Sequence, residues 1–147
     1  MRRPPRTPRT VSAEWCGRLS RNPRHVVHGC GVVARRKLYT RDLVQDARAQ
    51  LRVGKSAPDT DALLGTDFDY YISVCVAKGP RGFFQIAGDE RGRSWRSMTY
   101  HLNQARSSNT KADTRMPNVK MCVRNNRLCW RVLRCIEQGS EIVWSYA

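Results

Sequence analysis

The stretch from Met116 to Ala147 constrains the fold more than any other part of the chain. It begins Met116-Pro117-Asn118-Val119-Lys120, turns at Asn125-Asn126, and continues as Arg127-Leu128-Cys129-Trp130-Arg131-Val132. It turns again at Gln138-Gly139 and ends in Ile142-Val143-Trp144-Ser145-Tyr146. Asn and Gly tolerate the left-handed backbone that tight turns need. The apolar residues between the turns include β-branched and aromatic ones, Trp130, Val132 and Ile136, and Ile142, Trp144 and Tyr146 alternate as strand residues do. Such punctuation predicts a short strand, a turn, a second strand, a turn and a last strand ending in the aromatic pair Trp144 and Tyr146.

The same texture runs upstream. Phe68 to Val76 is the strongest strand signal in the chain, with Phe83 to Ala87 expected to return as its hairpin partner after a Lys78–Gly82 turn. His25-Val26-Val27-His28-Gly29-Cys30-Gly31-Val32-Val33-Ala34 reads as strand, glycine turn, strand. Leu38 to Leu51 reads as partly strand and partly helix. Ser94 to Ala105 suits a short helix or irregular segment with Trp95, Met98, Tyr100 and Leu102 turned inward. Residues 54–61, 89–93 and 106–115 are polar turns and loops. The expectation is one mostly β domain with short helices over residues 25–147.

Residues 1–24 differ. Arg2, Arg3, Arg6, Arg9, Arg18, Arg21 and Arg24 face one acid, Glu14, and Pro4, Pro5, Pro8 and Pro23 interrupt any helix. This segment is expected to be a flexible basic arm, either a grip for phosphates by counterion release or an uncommitted tail. Over the whole chain, 27 Lys and Arg stand against 12 acids, a formal net charge of +15. That imbalance implies an anionic partner (nucleic acid, chromatin or an acidic surface), or else a merely solvated basic face. No apolar run approaches the roughly 18 residues of a membrane helix, and the N-terminus lacks the apolar core of a secretory signal, so an intracellular protein with no membrane partner is expected. None of the six cysteines makes a C-x-x-C pair, so no metal site is signalled. Without an export signal they are expected to be reduced, and several to be small buried hydrophobes. Gly29-Cys30-Gly31 lacks the G-x-x-G continuation of a Rossmann fingerprint, and no Gly-x-Ser-x-Gly is present.

Taken in order, these pieces resemble the SET-domain family of S-adenosylmethionine-dependent protein-lysine methyltransferases. The resemblance covers roughly residues 25–147. It rests on His28-Gly29-Cys30-Gly31-Val32-Val33-Ala34, the tyrosine-bearing strand at Tyr70-Tyr71, Leu102-Asn103-Gln104-Ala105, Pro117-Asn118-Val119-Lys120, Leu133-Arg134-Cys135-Ile136 and Gly139-Ser140-Glu141-Ile142-Val143-Trp144-Ser145-Tyr146. The family's Asn-His-Ser keeps only its Asn, at Asn103; an alternative alignment through Tyr100-His101-Leu102 keeps the His instead. The Gly that follows the family's terminal Tyr is Ala147, and the cysteine-rich segment many members carry next is expected to be missing.

The resemblance implies a fold of several small sheets with a knotted C-terminal region, and S-adenosyl-L-methionine as cofactor. It makes Tyr146 the catalytic residue. Gly29, Cys30, Gly31, Asn103 and Gln104 become cofactor-binding residues, and Tyr70, Tyr71 and Trp144 substrate-binding residues. It further implies a nuclear or chromatin-associated enzyme acting on a lysine, expected in a histone tail, with the basic arm as a possible nucleic-acid contact. Two other readings stay open: a catalytically silent SET-like module that binds protein or nucleic acid, and a small basic nucleic-acid-binding β domain.

Overall fold

The computed structural model describes residues 6–53, 72–75, 81–85, 97–125 and 127–145, with Gln50–Val53, Ile72–Cys75 and Arg81–Gln85 described by their backbone pairing. The loop read over 54–61, the turn over 89–93, Tyr70, Tyr71, Trp95 and Tyr146 lie outside the described residues.

Among the described residues short strands dominate, and they form four small sheets. The largest is built on the C-terminal hairpin. Strand β9 (Val119–Arg124) returns through Asn125, held at φ 51°, into β10 (Arg127–Val132). The other edge of β10 pairs antiparallel with β4 (Leu43–Gln45), which in turn pairs in parallel with β1 (Thr10–Ser12). Leu128, Trp130 and Val132 alternate onto one face and are fully buried. Trp130 is the largest buried side chain, and its Nε1 donates to Thr99 Oγ1 at 2.9 Å.

A second sheet pairs β2 (Gly17–Ser20) antiparallel with β3 (Gly31–Ala34). A third orders β5 (Gln50–Val53), β7 (Arg81–Gln85) and β6 (Ile72–Cys75) as β5-β7-β6, all antiparallel. Within the described residues the expected pairing is present as β6 and β7, with β7 starting at Arg81, inside the stretch expected to be the Lys78–Gly82 turn. The fourth sheet joins β8 (Asn103–Gln104) in parallel to β11 (Val143–Trp144).

Among the described residues, helix is confined to single turns: α1 (Ala13–Cys16), capped by Ser12 Oγ accepting from Trp15 N at 3.2 Å, α2 (Met98–His101), and a 3-10 turn at Ala112–Thr114. The Ser97 side chain does not cap α2. Asp46, just past the end of β4, caps it instead, its Oδ2 accepting from Ser97 Oγ at 2.6 Å, Thr99 N at 2.9 Å and Thr99 Oγ1 at 2.7 Å. A carboxylate at the open N–H groups of a helical turn satisfies orphan donors and the local dipole together. Met98 and Leu102 are buried as expected, while Tyr100 is half-buried.

Three sequence expectations need correction. Residues 6–24 are not a flexible arm; Ala13, Cys16 and Ser20 are buried, and β1, α1 and β2 belong to the domain. Two of the arginines that suggested disorder, Arg6 and Arg9, have partners in the fold. Arg6 Nη1 pairs with Asp42 Oδ1 at 2.9 Å and lies 4.2 Å over the Tyr39 ring, while Arg9 and Arg36 sit 4.9 and 3.9 Å over Trp15. Secondly, His25–His28 is a turn and not a strand: the N–H groups of His25 and Val26 both reach Asn22 O, so β3 takes β2 as its partner. Thirdly, Leu38–Leu51 carries β4 and the start of β5, with no helix. Leu38 and Ile136 meet there in an isolated bridge.

Candidate functional site

The glycine turn lies between β2 and β3 and is held from its inner side by two residues distant in sequence. Asn103, at the start of β8, donates through Nδ2 to His28 O at 2.9 Å, Cys30 O at 3.4 Å and Glu141 Oε2 at 2.7 Å. Glu141 Oε1 accepts from Val27 N at 2.8 Å. Glu141 also bridges Val33 of β3, and on either side of it Ala34 N reaches Ser140 O and Ile142 N reaches Val32 O. One carboxylate and one amide thus tie the turn, β3, β8 and the approach to β11 into a single network.

Gly31 is required by proximity. A Cβ there would lie against Glu141 Oε2, 2.7 Å from Val26 Cγ1 and 2.9 Å from Asn103 Nδ2. Gly29 is required by conformation, at φ 45°, and a Cβ there would meet nothing within 4 Å. The inner face of the turn is therefore closed and its outer face open. On the open side, Cys30 lines a shallow hollow of about 410 Å³ with Leu19, Ser20, Arg21 and His101. That volume lies in the range of about 300–1,000 Å³ typical of small-ligand sites.

Glu141 is 1% exposed. Burial pushes its carboxyl above the usual range, and the Asn103 hydrogen bond, the Val27 N–H and the Lys111 charge pull back without cancelling this. Lys111 Nζ itself donates to Pro23 O at 2.9 Å and Val26 O at 3.2 Å, fastening the turn from a third direction.

Asn118 anchors the last strand. Its Nδ2 donates to Glu141 O and its Oδ1 accepts from Val143 N, both at 2.9 Å, while its backbone N–H reaches Val143 O and its carbonyl accepts from Leu133 N. Register then sets Val143 beside Asn103 and Trp144 beside Gln104. Trp144 packs edge-on to Trp130 with centroids 4.9 Å apart, and Gln104 Oε1 accepts from Arg106 Nη2 at 3.2 Å.

Of the expected site residues, Gly29, Cys30, Gly31 and Asn103 come together, and Gln104 and Trp144 lie one register step away. Tyr70, Tyr71 and Tyr146 are outside the described residues. Glu141 is a member of this network that the sequence reading did not single out. Its signal is a carboxylate within the resembling run, leading into Ile142-Val143-Trp144.

The donor set fits S-adenosylmethionine in part. An open glycine turn, a hollow of suitable size and the Arg21 cation on its lining suit a ligand with an amino-acid end. The Asn103 amide, by contrast, is already committed to the turn, which leaves backbone groups and the neighbouring Gln104 to meet a ligand.

Neither a protein-family model nor a curated protein sequence matches the chain. Among solved structures, the methyltransferase domain of human PR domain-containing protein 2 aligns over 90% of this chain and 78% of its own, with a TM-score of 0.52 and 14% identity. The fold is thus that of SET methyltransferase domains. The SET domain of the RIZ1 tumour suppressor aligns over 79% of this chain and 61% of its own, at a TM-score of 0.47 and 14% identity.

Proposed function

We propose that this chain is a protein-lysine N-methyltransferase that uses S-adenosyl-L-methionine and acts on a lysine of a histone tail or another chromatin protein. The observation that carries the reading is the Asn103–Glu141 network, which in a SET fold joins the glycine turn to the strand leading towards Tyr146. The formal charge of +15 supports an acidic partner and a nuclear, chromatin-associated location.

Methyl transfer to an amine is an in-line displacement, so the protein's task is alignment and exclusion of water. S-adenosylmethionine supplies a methyl group on a cationic sulfonium. In this reading, the backbone of Gly29–Gly31 and the side chain of Gln104 hold that cofactor, and Asn103 keeps the turn in shape. The lysine amine must be neutral, although its ordinary pKa is about 10.4. Aromatic walls from Tyr70 or Tyr71 (strand alternation offers only one of them to a given face) and from Trp144 would desolvate it and lower that value. The Tyr146 hydroxyl then aligns the amine for attack.

Tyr146→Phe tests this reading. It removes one hydroxyl and keeps the ring, so methyl transfer to histone peptides should fall by about 10²–10³. Calorimetric binding of S-adenosylmethionine should be unchanged. Wild-type rates in the variant would remove Tyr146 from the mechanism.

A second reading is a silent SET-like module that binds protein or nucleic acid. It is favoured by Gln104 in place of the family's His and by the commitment of the Asn103 amide to its own turn. No cofactor heat from the wild-type protein, with polyanion binding retained, would select it.

A further inference from the structure

Cys122 and Cys129 are register partners across the β9–β10 hairpin, so their side chains project from the same face. That is the face opposite Leu128 and Trp130. On it, Arg124 pairs with Arg127 on one side of the two thiols, and Lys120 pairs with Arg131 on the other. All four cations are exposed, Cys122 is half-buried and Cys129 is buried. The face is therefore a ladder of cation pair, thiol pair, cation pair. Like charges directly opposed across strands destabilise a sheet. A negative charge on the middle rung relieves both neighbouring rungs, which favours a thiolate there.

The local electrostatics agree with this arrangement. The adjoining Cys129 thiol, followed by the Arg131 and Arg124 charges, holds the Cys122 thiol below its ordinary value despite its partial burial. The same contact and its burial push the Cys129 thiol up. One sulfur is prepared as a nucleophile and its neighbour remains protonated.

We propose that Cys122 and Cys129 form an oxidation-sensitive pair, in which Cys122 is the site attacked by a hydroperoxide and Cys129 resolves it as a cross-strand disulfide. The Cys122 thiolate attacks the peroxide oxygen, the O–O bond breaks, and the leaving alkoxide or hydroxide takes a proton, giving a sulfenic acid. The Cys129 sulfur then attacks the Cys122 sulfur, an S–S bond forms and water leaves. Two thiols and one hydroperoxide become one disulfide, one alcohol (water, for hydrogen peroxide) and one water, the thiols supplying the two electrons. Directly opposed strand residues have Cα atoms about 4.5–5.5 Å apart, within the 4.4–6.8 Å or so that disulfides span. Their Cβ atoms, typically about 4.5–5.5 Å apart, must close towards roughly 3.8 Å. The oxidised hairpin is thus strained, and the bridge is a reducible one.

The test is peroxide oxidation of the full chain at neutral pH, followed by alkylation and tryptic mapping. Trypsin cuts after Lys120, Arg124, Arg127 and Arg131, so oxidation should join peptides 121–124 and 128–131, and dithiothreitol should release them. In Cys129→Ser, Cys122 should stop at the sulfenic acid and be trapped by dimedone. It should react roughly tenfold faster than the exposed Cys135, because the flanking Arg124–Arg127 and Lys120–Arg131 pairs favour the Cys122 thiolate. Joined peptides in the wild type support the proposal without relying on any variant. Peptides that stay separate and reduced under peroxide, or dimedone labelling of Cys135 ahead of Cys122, would overturn it.

Discussion

Asp42 and Glu141 are both closed off from solvent, and each fixes a stretch of chain that has no regular structure of its own. Asp42 holds residues 6–9 with a cation: Arg6 Nη1 at 2.9 Å, supported by the N–H groups of Arg9 and Tyr39, each at 3.1 Å. Glu141 holds residues 27–30 with neutral donors alone, Val27 N and Asn103 Nδ2. Burial raises both carboxyls. At Asp42 the Arg6 hydrogen bond, the two N–H groups and the Arg6 charge outweigh it, and the net shift is downward. At Glu141 burial wins. A cation makes Asp42 a clamp that is secure at neutral pH. Neutral donors leave Glu141 a clamp whose charge is unfavourable, set beside an open turn, and perturbed groups of that kind collect at functional sites.

The sharpest way to break the comparison is at the turn that Glu141 holds. Gly31→Val drives a branched side chain into Glu141, Val26 and Asn103. Overpacking of this severity costs about 3 kcal/mol, or roughly 6–12 °C in Tm for a domain of this size. Cofactor binding measured by calorimetry should vanish. Gly29→Ala is the control, because a Cβ there meets nothing and only the positive φ is penalised, by about 1–2 kcal/mol. Equal losses in the two variants would mean that the packed inner face of the turn has no special role.

A smaller effect follows from changing the partner of Glu141. Asn103→Asp sets a second carboxylate 2.7 Å from Glu141 Oε2, where the amide now donates. At neutral pH this should cost roughly 2 kcal/mol, since a donor is lost and like charges meet. The deficit should shrink as pH falls and one of the two protonates. The wild-type site already leans that way. Because the folded pKa of Glu141 is raised, its contribution is fully present below the unfolded value of about 4.3 and is lost as pH rises through the folded pKa. Thermal melts of variant and wild type at pH 5 and pH 7.5 check this; a deficit independent of pH would deny that Glu141 is the titrating neighbour.

The two clamps also divide what the sequence reveals from what it hides. The C-terminal hairpin was legible because Leu128, Trp130 and Val132 alternate between Asn-rich and Gly-containing turns, and local pattern decides such strands. The turn at Gly29–Gly31 and the place of Asn103 beside it were legible from ordered resemblance, but the resemblance gave Asn103 to the cofactor and did not show that its amide holds the turn. Glu141 was not, since the partner that gives it meaning is 38 positions away. Residues 6–24 misled for the same reason. Their composition reads as disorder. Their order comes from contacts that only the fold creates: Asp42 and Tyr39 against Arg6, and the Trp15 ring against Arg9 and Arg36. Val26-Val27 read as strand because both residues are β-branched, but the capture of the His25 and Val26 N–H groups by Asn22 bends them into a turn.

The mildest expected change is at Asp42. Asp42→Asn keeps the shape and removes the charge, so Arg6 loses its ion pair, and the new amide keeps one acceptor oxygen while its NH2 group faces N–H donors where the carboxylate had its second acceptor. Arg6 is a third exposed, and partly exposed pairs of this kind contribute little, so the loss at neutral pH should be about 1 kcal/mol, or roughly 2–4 °C in Tm. Its pH dependence runs opposite to that at Glu141. A folded pKa below the unfolded value of about 3.9 gives stability that is present above that value and is lost as pH falls through the folded pKa. The gap between wild type and Asp42→Asn should therefore be constant from about pH 7 down to about 5 and close in stronger acid. Trypsin gives an independent reading: cleavage after Arg6 and Arg9 should quicken in the variant, while the tryptic fragments from the β9–β10 hairpin appear at the wild-type rate. Faster release of those hairpin fragments as well would mean that Asp42 supports the whole sheet through β4 and β1, and that the contrast with Glu141 is one of position alone.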